Sequence, residues 1–326
     1  MTTIVTNPTA GDVHVNTPLT NFSQKYLLDA DMFVATRAFP NAPVTKQSDL
    51  YYEFNRGDFY RDEAEERADG AESSGSGFRL STNPYFARVY AFHKDVTDRQ
   101  RANQDSAVQL DNSATQFVTH KLMIRRERIF ASTYMTTGVW TTDNTSVNWS
   151  LGTSDPITDF RTGKRTVQGL TGYRPNKAVM GRQAYDTLLD NDAVLERITG
   201  GANNNMPAMV MRQLLAQLFE LDAIYVMDAV YNSAEADASD PTSETIQFIG
   251  GDNVLLYYAP DSVALNEPTA GVQFSWTGLL GNTANGMRIR RFRMESRQSD
   301  RIEGEMSFDY KLTGADLGYF FSGVSS

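Results

Sequence analysis

YRPNKAVMGRQAYDTLLDND, residues 173–192, holds the turn on which the reading of the whole chain depends. Lys177 to Met180 form a short β-prone run, Gly181 breaks it, and a helix pattern opens at once behind the glycine. A strand that breaks at glycine into a helix is where many α/β enzymes seat a phosphate or a nucleophile. The flanking sequence has to say whether this turn carries chemistry or geometry.

The motifs that would carry chemistry are missing. No G-x-S-x-G elbow occurs, and the nearest phosphate-loop pattern, Thr162-Gly163-Lys164-Arg165, lacks both the upstream glycine and the Ser/Thr that would follow the lysine. His14, His93 and His120 fit no metal-ligand spacing, so neither a metal nor a cofactor is expected. Cysteine is absent, which removes disulfides, thiolate nucleophiles and thiolate ligands together. Paired carboxylates stay open, because 40 acids allow some pair at glycosidase separation once folded. Glu220, Asp222 and Asp228, which flank the 223–227 run, read more simply as turn and edge residues. A carboxylate-based hydrolase is the distant alternative, and no catalytic residue is expected.

At 326 residues the chain is long enough to bury roughly 75% of its unfolded surface, in one large core or two linked ones. Its 40 acids against 30 bases give a net charge of -10, which opposes a nucleic-acid backbone at most approaches. The start MTTIVTNPTAGDVHVNTP has neither a basic beginning nor an apolar stretch of signal length, and no run approaches the ~18 apolar residues of a membrane span. Synthesis in a reducing cytoplasm and no membrane partner are expected. The sequons at Asn144 and Asn148 then read as plain loop polarity.

Outward from the turn, Asp155-Pro156 supplies a helix start with a capping carboxylate, and Ile157, Phe160 and Val167 give that helix an apolar side. Downstream, the pattern breaks again near Asp192, and after GGANNNMP the run MVMRQLLAQLFEL places Met211, Leu214, Leu215 and Leu218 on one helix face, with Pro207 tolerated near its start. AIYVMDAVYN (223–232), VLLYYAP (254–260) and VQFSWTG (272–278) are strand-like, as are MRIRRFRMES and RIEGEMSFDYKLTG in the tail.

Upstream, residues 96–135 contain no proline or glycine, and Ala107, Leu110, Ala114, Phe117, Val118 and Leu122 recur at spacings of three and four. One long helix is predicted there, about 60 Å if all forty residues join it. Before it, two aromatic-rich arms, LYYEFNRGDFY and FRLSTNPYFARVY, flank an acidic Gly/Ser stretch, the pattern of a long projecting hairpin. The first fifty residues, with Pro8, Pro18, Pro40 and Pro43, read as an extended arm lying on something else. The fold class is α+β with mixed or antiparallel sheets.

Charged and aromatic surfaces are the remaining candidates. The cluster Asp62, Glu63, Glu65, Glu66, Asp69 and Glu72 is either a solvated loop tip or the partner of a basic surface on a neighbouring copy. Arg288, Arg290, Arg291 and Arg293, with Arg125, Arg126 and Arg128, could form that surface, or could pair within the chain with Glu295, Glu303 and Glu305. Tyr51, Tyr52, Phe54, Phe59 and Tyr60 would be overexposed on a lone hairpin, which favours their burial against another subunit.

The order of these segments resembles the tailed-bacteriophage major capsid proteins, a fold shared with bacterial encapsulin shells. VTDRQRANQD (96–105) is similar to that family's entry into its spine helix, and SDPITDF (154–160) to the helix beyond it. GYRPNKAVMGRQAYDTLL resembles its G-x-x-PN-x-x-VMG turn through Gly172, Pro175, Asn176, Val179, Met180 and Gly181. LLAQLFELDAIYVMDAVYN, DNVLLYYAP and the tail GMRIRRFRMES onward stand where the family has its next elements, so the likeness runs from about Asp49 to Phe320.

The resemblance implies a phage major-capsid fold with an N-terminal arm (1–49), an extended β-hairpin loop (50–95), a long spine helix with the first part of a peripheral β-domain (96–168), an axial α/β domain (169–285), and returning peripheral strands with the C-terminus (286–326). It implies a coat protein, not an enzyme, that assembles with itself through pentamers and hexamers into an icosahedral head in the host cytoplasm. That virion shell would enclose double-stranded DNA without reading its sequence. Portal, scaffolding and decoration proteins are further implied partners, and an encapsulin-type cargo shell is the alternative. Two features depart from the family: only about fifty residues precede the hairpin, too few for a removable scaffolding segment, so scaffolding is expected to be a separate protein or unused; and the strongly acidic hairpin tip is not a family constant, with no lysine-asparagine pattern for intersubunit crosslinks evident. On this reading Pro175, Asn176 and Gly181 build a structural turn, with Gly181 in a conformation or packing distance that alanine cannot match.

Overall fold

The structure is a computed structural model that describes residues 28–103, 109–199, 212–234, 243–264, 267–280 and 287–325. The expected arm before residue 28, Ala107 of the predicted helix face, and Pro207 and Met211 lie outside the described residues.

Two five-stranded sheets carry the fold. The lobe sheet runs in the order β5 (Thr142–Asn144), β14 (Gly318–Phe321), β10 (Val254–Tyr257), β6 (Lys177–Gly181) and β7 (Ala223–Met227). β6 is parallel to β7 and antiparallel to β10, which is antiparallel to β14; β14 is parallel to β5. Its three central strands, β14, β10 and β6, are buried on both faces, as their near-continuous apolar sequences require. The period of two divides their side chains between two cores. Ala178, Met180, Val254, Leu256, Tyr319 and Phe321 face one cluster with the Pro156–Thr171 and Arg182–Asp190 helices. Val179, Leu255, Tyr257 and Phe320 face the other, with Phe130 and Tyr134 of the spine helix.

The helices obey the caps read from the sequence. Asp155 accepts the N–H groups of Ile157 and Thr158 at 3.1 Å each, and Pro156 occupies the first turn. Asn191 ends one lobe helix and its Oδ1 accepts the N–H of Ala193 at 3.1 Å, so the Asp192–Thr199 helix starts afresh. In the Arg212–Leu218 helix Leu215 is fully buried while Leu214 is 39% exposed, so the predicted apolar face is narrower than expected.

The peripheral sheet is ordered β1 (Asn41–Val44), β11 (Gly271–Trp276), β13 (Ser299–Leu312) and β12 (Met287–Met294), with β4 (Arg88–Thr97) also paired to β13. Three strands therefore cross the expected domain boundaries. β11 falls in the segment expected to be axial but pairs with β13, while β5 and β14 fall in the segments expected to be peripheral but belong to the lobe sheet. Two small hairpins complete the strands: β2 (Ser48–Phe54) with β3 (Leu80–Phe86), and β8 (Val230–Asn232) with β9 (Ile246–Phe248).

The long predicted helix is corrected. The spine helix spans Leu110–Tyr134, 25 residues and about 37 Å. Residues 96 and 97 finish β4 instead, because the alternating run RVYAFHKDV pairs along β13. A capping box, in which Thr97 and Gln100 exchange side-chain and backbone bonds at 3.2 Å, then starts a separate turn at Asp98–Ala102. Freedom from glycine and proline permits a continuous helix without imposing one. The spine helix lies close on the sheet at Gly304, where an added Cβ would stand 2.7 Å from both Leu122 and Val118.

The part of the arm within the described residues is also corrected. Phe33, Val34, Ala35, Ala38 and Phe39 are buried in the chain's own core, and β1 is an edge strand parallel to β11, a position that accommodates Pro43. Phe39 packs edge-on to Phe130, Tyr134 and Tyr257 at 5.4, 5.2 and 5.6 Å, joining arm, spine and lobe. The buried Glu127 accepts the N–H groups of Val34 at 3.0 Å and Ala35 at 2.8 Å. Tyr310 donates to the Ala35 carbonyl at 2.8 Å. A carboxylate without solvent is here held by backbone donors, as burial of charge demands.

Candidate assembly surface

The turn that opened the question holds structure together. Asn176 Oδ1 accepts the Ala259 N–H at 3.0 Å, and Nδ2 donates to the Ala259 carbonyl at 3.1 Å and to Asp222 at 3.0 Å. Its backbone N–H donates to the Tyr257 carbonyl at 3.1 Å. One side chain thus brackets the start of β6, the end of β10 and the entry to β7, behind a buried Pro175. Gly181 has φ -70° and ψ 160°, ordinary extended backbone, so glycine is required by packing distance and not by conformation. Among the described residues no group of three His, Cys, Asp or Glu side chains could hold a metal ion.

The projecting hairpin is built from its register. β2 and β3 pair from Ser48↔Phe86 to Phe54↔Leu80. Its root is fixed where Tyr85 stacks on Phe274 at 4.4 Å and Tyr51 tilts against the same ring at 5.5 Å. At the far end Asn55 caps a single turn, Arg56–Phe59, by accepting the Gly57 N–H at 2.9 Å. Asp58 closes the neck of the loop by accepting from Arg79 at its backbone N–H (2.9 Å), Nε (3.1 Å) and Nη2 (3.0 Å). These bonds, the side-chain ones first, hold its carboxyl down at about 2. The end touches its own lobe twice: the Tyr60 hydroxyl donates to the Thr171 carbonyl, and Arg56 pairs with Asp316 at 2.6 Å.

What the chain does not cover is apolar. Tyr52, Phe59, Tyr60, Leu50 and Phe78 are each more than half exposed, while the rings of Phe54, Phe59 and Phe78 pack on one another at 5.7–6.1 Å. Phe78, Leu50 and Leu80 were missed in the sequence reading. Writing the hairpin register from the two arms would have placed Leu80 opposite Phe54.

The charged candidates separate into three groups. Glu63, Glu66 and Asp69 are exposed in the 61–79 loop, with only Glu63 near a cation, Arg61 at 3.8 Å. The β12 arginines are occupied within the chain: Arg288 and Arg290 on Glu305 at 2.8 and 2.5 Å, Arg291 on Asp111 at 3.0 Å, Arg293 on Asp98 at 2.5 Å. Asp98 and Asp111 are remote in sequence from β12, whereas Asp300 opens the adjacent β13 beside the foreseen partners Glu295, Glu303 and Glu305 and pairs with Arg291 and Arg293. Arg126 is corrected as a surface candidate: it is 1% exposed, its Nε donates to the Tyr310 hydroxyl at 3.0 Å, and its guanidinium lies 5.0 Å from the Phe308 ring centre. Arg125 and Arg128 are exposed on the outer face of the spine helix.

A two-sheet body with a spine helix thus carries a hairpin whose aromatic surface the chain leaves exposed. The sequence profile of the family described as Phage major capsid protein E matches residues 140–269, from the loop before the lobe sheet to the approach to β11. The "Major capsid protein" of Burkholderia phage BcepMu is 29% identical over 235 residues, covering 69% of this chain and 70% of that protein. In fold the chain is similar to a phage-related protein of Bordetella bronchiseptica, with TM-score 0.67 and 17% identity over 94% of this chain and 97% of that one. It is similar also to the capsid of cyanophage P-SCSP1u, with TM-score 0.57 and 10% identity over 97% and 94% of the two chains. The SrpI encapsulin of Synechococcus elongatus follows, with TM-score 0.54 and 10% identity over 93% and 92%. In sequence the chain is thus similar to phage major capsid proteins, and in fold to phage capsids and encapsulin shells alike.

Proposed function

We propose that this chain is the coat subunit of a tailed-phage head, assembling through pentameric and hexameric rings into an icosahedral shell around double-stranded DNA. The observation that carries the reading is the hairpin. Its exposed aromatics form a contiguous apolar surface of the kind that soluble monomers seldom leave to water and that interfaces bury. A ring of copies covers each hairpin with the next subunit, in the heterologous contact from which closed rings are made.

The phage relatives, matched in sequence as well as fold, favour a phage head over an encapsulin compartment, which is matched in fold. Catalytic activity has no support in the turn at Gly181, whose groups are engaged in holding strands together. A net charge of -10 keeps the wall from adhering to packaged DNA, so the genome is enclosed without sequence reading. Portal, scaffolding and decoration proteins are the further partners such a head requires. Purified protein is to be sedimented and viewed by negative stain: shells or rings are expected, and a monomer that persists at high concentration overturns the reading.

A further inference from the structure

Arg125 and Arg128 lie three residues apart on the outer face of the spine helix and have no carboxylate within 4 Å among the described residues. Lys121, one turn earlier, extends the same exposed stripe. Arg128 is held with its guanidinium 4.3 Å from the ring centre of Tyr231, and Arg125 lies 5.8 Å from that of Tyr90, so aromatic stacking fixes both while leaving their hydrogen-bonding edges free of acids. They line a cleft of about 370 Å³ whose other walls include Ser132, Thr136, Tyr231, Phe248 and the backbone of Gly250–Gly251. In a chain of net charge -10, where the β12 arginines are all matched to carboxylates, a cationic cleft left unmatched is a distinct feature.

The converse feature is the 61–79 loop. It carries six carboxylates against the guanidiniums of Arg61, Arg67 and Arg79, the last engaged by Asp58; every residue of it is exposed, and Glu66 and Asp69 have no ion pair among the described residues. We propose that the Arg125–Arg128 cleft of one copy receives the acidic loop of a neighbouring copy through Glu63, Glu66 and Asp69. This rests on the shell-subunit reading above and names the contact within it. A carboxylate offers each guanidinium a paired, two-bond geometry, and the mixed polar and aromatic lining excludes enough water to strengthen it. The free loop carboxylates favour this occupant over nucleic acid, which would bring phosphate to a strongly acidic protein.

Charge reversal tests it on the full chain. E63K/E66K/D69K and R125E/R128E are each expected to lower shell yield at least tenfold, with circular dichroism and thermal midpoint of the subunit unchanged, and the fivefold variant carrying both sets is expected to recover most of the yield. Normal shells from either set alone overturn the inference while leaving the shell reading intact, whereas a wild-type protein that forms no shell overturns the shell reading itself. Failure of the combined variant to recover also overturns the pairing. Well-formed shells of R125E/R128E that carry less nucleic acid assign the cleft to the genome instead. Should either reversal set unfold, E66C/R128C supplies an independent readout, because the chain has no native cysteine. Oxidised shells are expected to give a ladder of disulfide-linked multimers, and monomers alone, linked or not within the chain, overturn the proposal.

Discussion

Gly181 and Gly251 meet backbone to backbone: a Cβ on Gly181 would stand 1.9 Å from the carbonyl oxygen of Gly251. No rotamer relieves that overlap, because both partners are main chain. The strand therefore turns into its helix at the only residue type that lets β6 approach the 250–251 turn. G181A is expected to cost about 1–3 kcal/mol through forced backbone displacement, read as a thermal midpoint several degrees lower. An unchanged midpoint means the turn yields more readily than this contact allows.

Asn176 makes three side-chain hydrogen bonds across three segments of the lobe. N176A removes all three and leaves the Ala259 N–H without its acceptor, so about 2–3 kcal/mol of stability is expected to go. Denaturant midpoints at constant slope measure this. N176D, which keeps the acceptor but sets a carboxylate oxygen against Asp222 and the Ala259 carbonyl, is expected to cost at least as much at neutral pH.

Glu127 gives the protein a pH dependence whose sign follows from burial. Desolvation raises its carboxyl to about 7 from an ordinary 4.5, against the lowering effects of the Ala35 and Val34 N–H groups and of Arg126 and Arg37. Between those values the folded chain holds a proton that the unfolded chain has released. Stability from this group is therefore fully present below about 4.5 and is lost as pH rises through about 7. The difference is on the order of 3 kcal/mol. The neighbouring His120, which burial pushes down, works in the opposite direction, so the comparison must be between wild type and E127Q. The wild-type midpoint is expected to fall relative to the variant between pH 5 and 8, and parallel curves contradict the assignment.

Tyr60 tethers the end of the hairpin to its own lobe through the Thr171 carbonyl. Y60F is expected to quicken hydrogen exchange across residues 56–60 while leaving β6 and β10 unchanged, since one exposed bond is worth about 1 kcal/mol. Protection lost throughout the lobe would show that the tether serves the core instead.

Local chemistry was legible wherever a few adjacent residues decide the outcome. Asp155-Pro156 opened a helix, Gly181 closed a strand, and the aromatic arms from Leu50 paired as a hairpin. The repeating ARVYAFHKDV run was read as part of hairpin and helix because its partner, β13, lies two hundred residues away. Arg126 and Arg128 share a helix and a charge but not a fate. The spacing of four along the spine places Arg126 with Val118, Leu122 and Phe130, whereas its charge alone points to the surface. The partners of the β12 arginines are similarly non-local, since Asp98 and Asp111 come from the other end of the peripheral domain.

The alternation of β10 between two cores has a mechanical consequence. Leu255 and Tyr257 press toward the spine while Val254 and Leu256 press toward the lobe helices, so neither layer can slide without dragging the strand through the other. A wall made of such plates would resist bending within each tile and yield in the hairpins, which beyond their stacked root at Tyr85 meet the body through Tyr60 and Arg56. Swelling or flattening of the container would then be absorbed by the fingers, with the tiles carried along rigid.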